Sequence, residues 1–134
     1  EGSSDLTHSI SLSSESPERE PLEGVSVDTI DAYVERKGID RINLLKIDTE
    51  GCEIEVLAGA EATMARCGID AIFAECDFDP EDIQHTYFPA LFELLREREF
   101  AFFGLYDVIH YHAGGGIGYC NALFLHQGGK GNAI

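Results

Sequence analysis

Two apolar runs in this chain stop on carboxylates. Ile42-Asn43-Leu44-Leu45-Lys46-Ile47-Asp48 gives way to Thr49-Glu50-Gly51, and Ile69-Asp70-Ala71-Ile72-Phe73-Ala74 gives way to Glu75-Cys76-Asp77. A carboxylate at a strand-to-helix turn can accept backbone N–H groups of the helix that follows, or it can meet the hydroxyls or amine of a ligand. Position alone leaves both readings open for Asp48 and Glu50. Lys46 is unusual in so apolar a run, because a buried ammonium needs a partner. Glu75 on the next strand is the expected partner, and the alternative is that Lys46 reaches solvent from the strand end. His85, near Tyr87, can line a pocket or lie on the surface.

Other residues with chemical potential carry weaker signals. Gly114-Gly115-Gly116-Ile117-Gly118 contains G-x-G-x-G, but a nucleotide-cradling loop leaves a strand and opens a helix, whereas this one leads into Tyr119-Cys120-Asn121-Ala122-Leu123, a strand. A hairpin turn is the expectation. His110 and His112 alternate onto one strand face without a third ligand nearby, so no metal site is assigned to them. The four cysteines, Cys52, Cys67, Cys76 and Cys120, have no C-x-x-C spacing and are expected to be buried, reduced thiols in a cytoplasmic protein.

The elements that position these residues follow from periodicity. Residues 1–24 are rich in Ser, Glu and Pro, with strand-like alternation only at His8 to Leu12, and are expected to form an irregular, flexible acidic segment. Val25-Ser26-Val27 suits a brief strand. A helix then starts with Asp28 as cap and Asp31 closing a capping box, buries Ile30, Tyr33 and Val34, and ends at Gly38. The run 42–48 suits a strand buried on both faces. Helical spacing returns through Ile54, Leu57, Met64 and Cys67, with a break at Gly59, and a second buried strand follows over 69–76. Asp79-Pro80-Glu81-Asp82 reads as a helix start, with another at Pro89 leading to about Arg98. Phe100 to His112 and Tyr119 to His126 read as a closing hairpin. Strand and helix alternate, which predicts an α/β fold with a mostly parallel sheet, helices on both faces and an antiparallel last strand.

Composition narrows the partners. The 134 residues suit one domain, expected over 25–128 with a tail at 129–134. Asp and Glu number 25 against 9 Lys and Arg, and the net charge of −16 repels nucleic acid and anionic lipid, so neither is expected as a partner. No apolar run approaches the ~20 residues that span a bilayer. The acid excess reads as a solvated surface or as adaptation to high salt, with only three lysines in the chain. The first residue is not Met, and the start is expected to be a boundary within a longer parent chain.

Val27-Asp28-Thr29-Ile30-Asp31-Ala32-Tyr33-Val34, Leu44-Leu45-Lys46-Ile47-Asp48-Thr49-Glu50-Gly51, Glu53-Ile54-Glu55-Val56-Leu57-Ala58-Gly59-Ala60 and Ile72-Phe73-Ala74-Glu75 together resemble the FkbM-type methyltransferase family, from about Val25 to Leu125. Cys52 departs from the aromatic or small residue often seen at its position. The resemblance implies the C-terminal part of a class I, Rossmann-like methyltransferase sheet, with Asp48 ending the fourth strand, Glu75 ending the fifth, and the sixth and seventh forming the hairpin. It implies S-adenosylmethionine as cofactor, held largely by a loop expected upstream of residue 1, so the chain by itself is expected to bind it poorly and to be inactive.

For the parent, the resemblance implies methyl transfer to a hydroxyl of a sugar, polyketide or related small-molecule acceptor. Asp48 and Glu50 are then the candidate catalytic residues, Asp48 first, because the fourth strand borders the crevice where strand order reverses. Asp48 and Thr49 are candidate cofactor contacts, and Glu75, Asp77 and His85 candidate substrate contacts. Two alternatives stand beside this: a non-catalytic remnant or interaction module that keeps the sheet, and a Mg²⁺-dependent O-methyltransferase with Asp48, Glu75 and Asp77 or Asp79 as ligands. A sheet that ends at the fourth strand is expected to form a homodimer or to pair with a missing N-terminal segment.

Overall fold

Helix α1 (Ile30–Lys37) opens the portion of the chain that the computed structural model describes, residues 26–110 and 116–128. Thr29 caps it, because Thr29 has the extended backbone a cap needs and its hydroxyl accepts the Ala32 N–H at 3.1 Å. The cap expected at Asp28 therefore lies one residue on, and Asp28 instead accepts the Thr29 N–H. Gly38 ends the helix at φ 63, the left-handed conformation that glycine adopts without strain. Ser26 and Val27 form no strand, and Tyr33 of the expected apolar face is 47% exposed.

Asp31 does not close a capping box. Its carboxylate crosses to α3 (Glu61–Ala65), accepting the N–H groups of Ala62 and Thr63 at 2.9 and 2.8 Å and the Thr63 hydroxyl at 2.6 Å. Burial works against its charge, but these bonds outweigh that and hold its carboxyl below the usual range. The preceding helix α2 (Glu53–Ala58) breaks from α3 at Gly59, as expected. The cause is close packing as well as propensity: the Asp31 N–H donates to the Gly59 carbonyl at 2.9 Å, and a Cβ on Gly59 would come within 3.3 Å of Thr29.

Four strands form one sheet in the order β1-β2-β4-β3, where β1 is Leu45–Ile47, β2 Ala71–Asp77, β3 Phe100–Tyr106 and β4 Tyr119–His126. β1 runs parallel to β2, with Leu45 opposite Ile72 and Ile47 opposite Ala74, while β4 is antiparallel to both β2 and β3. Helix α4 (Phe88–Glu97) starts with Pro89 in its first turn, as expected, and buries Leu91 and Leu95. The core lies on the sheet face that carries Ile72, Ala74, Ala122 and Phe124, all fully buried, against Leu57, Met64, Leu91 and Leu95. The opposite face, with Phe73, Glu75 and Leu123, is half-buried. Among the described residues the expected helix cover on both faces is thus complete on one. The first strand is also shorter and more exposed than its sequence suggests: Leu44 is 56% exposed, because β1 has a neighbour on one side only among the described residues.

The helix expected from Asp79 does not form. Residues 78–86 make turns, in which Asp79 accepts the Glu81 N–H at 3.0 Å and Asp82 accepts those of Gln84 and His85 at 2.6 and 3.2 Å. Short acidic side chains closing local turns compete with the helical ladder, and here they prevail. Of the cysteines, Cys76 and Cys120 are buried, with their sulfurs 3.8 Å apart across β2 and β4, whereas Cys52 and Cys67 are exposed. The expectations for residues 1–25, His112, Gly114, Gly115 and 129–134 lie outside the described residues. No helix among the described residues is long and apolar enough to cross a membrane.

Candidate functional site

The two strand ends singled out in the sequence meet at one corner of the sheet, because β1 and β2 are parallel neighbours and so end on the same side. Register decides which residues face each other. Lys46 lies opposite Phe73, two positions short of Glu75, and its ammonium pairs with Asp48 at 2.5 Å on the exposed surface. The expected Lys46–Glu75 pair is therefore not formed, since the residue at the height of Glu75 is Asp48.

After β1 the chain makes a tight turn with two consecutive left-handed residues, Glu50 at φ 53 and Gly51 at φ 91. Gly51 is required here, because a Cβ would come within 3.1 Å of the Ile83 carbonyl oxygen. Glu50 accepts a conformation that side chains other than Asn and Asp seldom adopt, and such strain concentrates at functional sites. The turn is held from beneath by Glu53, which is fully buried. The Thr49 N–H and hydroxyl donate to one carboxylate oxygen at 2.8 and 3.0 Å, and the Thr86 hydroxyl donates to the other at 2.5 Å. Burial pushes the Glu53 carboxyl up, but the Thr86 and Thr49 bonds prevail and bring it below its ordinary value. Thr49, a candidate cofactor contact, thus gives both its N–H and its hydroxyl to Glu53, although the residue itself is exposed.

The clamp brings the β1 turn against the segment that carries His85. One donor atom each from Glu50, Glu75 and His85 lie within 4.8 Å of one another, and so do those of Asp77, Asp82 and His85. His85 Nε2 is 3.9 Å from Glu75, and Nδ1 is 3.2 Å from Asp82. The ring stacks on Tyr119 at a centroid distance of 4.7 Å and an interplanar angle of 9°, which fixes its plane. Burial and then Asp48 push the Glu75 carboxyl up, with Glu50 and Glu53 adding and His85 opposing. Asp82 is held down to about 2, first by the Gln84 N–H and further by His85.

Asp77 is fully buried at the end of β2, and neither of its carboxylate oxygens makes a well-formed hydrogen bond, the Asp79 N–H and the Asp82 carboxyl being its nearest polar neighbours. Burial, and after it the Asp82 carboxylate, push it up to about 6. Glu50, Glu75, Asp77 and His85 are thus brought together, with Asp48 beside them on its lysine. The sequence reading missed Glu53, Asp82 and Tyr119. Glu53 and Asp82 look like ordinary acids in first helical turns, and only the fold turns one of them inward. Other concavities lie away from this corner, one lined by Arg41, Cys67, Asp70, His126 and Gly128 and another by α1 with Ile39, Ile42 and Leu45. Both lack the convergent carboxylates of the β1–β2 corner, so the chemistry points to the corner.

Comparison with known proteins gives one match. The family model for the methyltransferase FkbM domain covers residues 2–102, which includes the Ser- and Glu-rich segment at the start of the chain as well as both carboxylate-bearing strand ends. No curated protein and no solved structure matches. With most of its length matched, this chain belongs to the FkbM methyltransferase domain family.

Proposed function

We propose that the chain contributes the acceptor side of an S-adenosylmethionine-dependent methyl transfer to a hydroxyl, on a sugar, a polyketide or a related small molecule. Family membership supports methyl transfer in general. The strand order supports the finer reading: a parallel pair followed by an antiparallel pair corresponds to strands four, five, seven and six of a Rossmann-like methyltransferase sheet. In such sheets ligands bind outside the C-terminal strand ends.

The observation that carries the proposal is the convergence of Asp48, Glu50, Glu75 and His85 at those ends. Methyl transfer is an in-line displacement, in which the hydroxyl oxygen attacks the methyl carbon as the sulfonium leaves as a thioether, and the hydroxyl proton passes to a base. Alignment contributes most, roughly 7–11 kcal/mol at the extreme, and a positioned base about 10²–10⁴-fold. Asp48 takes the proton in this reading, with Lys46 fixing its carboxylate, and Glu50, Glu75, Asp77 and His85 lie around the acceptor.

The test is transfer of a labelled methyl group from S-adenosylmethionine to a panel of hydroxylated sugars and polyketides by the protein that carries this domain. The expected result is transfer to an oxygen, with Asp48→Asn lowering kcat by roughly 10²–10⁴-fold while the melting temperature stays nearly unchanged. Transfer at full rate by Asp48→Asn would remove Asp48 from the reaction, and parallel loss of rate and stability would leave it a structural residue.

A further inference from the structure

We propose that Glu50, Glu75 and Nε2 of His85 form a binding site for a divalent transition-metal ion, with Asp82 as the residue that positions the imidazole and buried Asp77 beside it. The inference does not rest on the methyl-transfer reading, because it concerns binding alone.

The geometry of His85 is the first support. The Asp82 carboxylate lies 3.2 Å from Nδ1 and already accepts the N–H groups of Gln84 and His85, so it is an acceptor placed behind the ring. The other ring nitrogen, Nε2, lies on the side of Glu75, at 3.9 Å. A carboxylate behind an imidazole that faces further donors is the arrangement that fixes tautomer and raises ligand basicity in metal sites. Stacking on Tyr119 adds a second restraint on the ring.

Asp77 is the independent support. A fully buried carboxylate with neither oxygen in a well-formed hydrogen bond is short of positive partners, and its neighbours are another carboxylate and the same imidazole. A cation on His85 supplies the positive charge that this arrangement lacks. Donor atoms within 4.8 Å of one another must close further to reach the ~2.0–2.2 Å bonds of such an ion, and the exposed Glu50 side chain has room to do so. The donor set also selects among metals. An imidazole with two carboxylates suits Zn²⁺, Co²⁺ or Mn²⁺, whereas Mg²⁺ favours oxygen alone. The all-oxygen alternative raised from the sequence, Asp48 and Glu75 with Asp77 or Asp79, is not one of the donor groups that lie within 4.8 Å of one another among the described residues.

The experiment titrates the chelator-stripped chain with Co²⁺ at about 0.15 M salt, where diffuse attraction to the acidic surface is screened. The expected result is saturable 1:1 binding with visible d–d absorption, displaced by Zn²⁺. His85→Gln and Glu75→Gln are each expected to weaken it at least tenfold. Asp82→Asn, which acts through the imidazole, weakens it roughly 10–100-fold, while Glu55→Gln on the exposed side of α2 leaves it unchanged. Broadening of the His85 ring protons by Mn²⁺ in the unaltered chain gives the same answer without any variant. Absence of a saturable 1:1 phase would overturn the proposal, as would equal affinity in His85→Gln. So would Mg²⁺ binding as tightly as Co²⁺ with the His85 ring protons unmoved.

Discussion

At the scale of the residue, Glu53 shows how one buried carboxylate organises a site it does not face. Its two oxygens accept from Thr49 on one side and Thr86 on the other, so a single side chain joins the turn after β1 to the segment that carries His85. Removing it strands these donors, and Glu53→Ala is expected to cost about 1.5–3 kcal/mol in a denaturant melt, with Glu53→Gln costing less because an amide oxygen still accepts from Thr49. The pH dependence has a definite sign. The folded-state carboxyl lies below its ordinary value of 4.5, so its contribution is fully present above that pH and is lost as the pH falls through the lower folded value. The unaltered chain should therefore lose stability on acidification more steeply than Glu53→Gln, and equal slopes would mean that the charge of Glu53 does not contribute.

At the scale of the element, the turn 48–51 and the segment 78–86 form one unit, in which neither half is regular secondary structure. Gly51 sits at the contact, where its positive φ and the 3.1 Å approach of a Cβ to the Ile83 carbonyl oxygen both exclude a side chain. Gly51→Ala is expected to destabilise the fold by at least about 1–2 kcal/mol, the usual cost of left-handed backbone for a residue with a Cβ, and to push the turn away from residues 83–84. Thermal melts with amide-exchange rates of 83–86 check this. Unchanged stability would mean that the turn relaxes without that contact. The acids of 79–82 explain the helix that failed to form: a Pro preceded by Asp resembles a helix start, but Asp79 and Asp82 satisfy nearby N–H groups in turns, and no apolar face follows them to be buried.

At the scale of the whole molecule, a net charge of −16 must be accommodated by a small sheet with few compensating cations. Surface pairs such as Arg41 with Asp70 and Arg96 with Glu93 contribute only about 0–1 kcal/mol each, so long-range repulsion dominates. Raising the ionic strength from about 10 mM to about 0.15 M shortens the Debye length from about 30 to about 8 Å and should raise the melting temperature. A melting temperature that falls instead would show that specific ion pairs outweigh the repulsion. The side of β1 that has no neighbour among the described residues, with Leu44 exposed, and the half-buried sheet face around Phe73 and Leu123 are the other features visible only at this scale.

The sequence by itself determined the family block, the α/β alternation, the break at Gly59, the start of α4 at Pro89 and the strand that follows the glycine run, because each depends on local periodicity or on residues with special backbone needs. It also marked Glu50, Glu75, Asp77 and His85 as candidates, since strand ends are legible from where apolar runs stop. The tertiary structure alone decided their relations. Register placed Asp48 rather than Glu75 beside Lys46, and the direction of two short side chains turned Asp31 into the cap of α3 and Asp82 into the partner of His85. A shift of two residues in parallel register, or of one side-chain torsion, leaves the same side chains on the same face. Such choices depend on how the segments pack, even where the partners are two or three residues apart, and the spacing of residues carries no record of them.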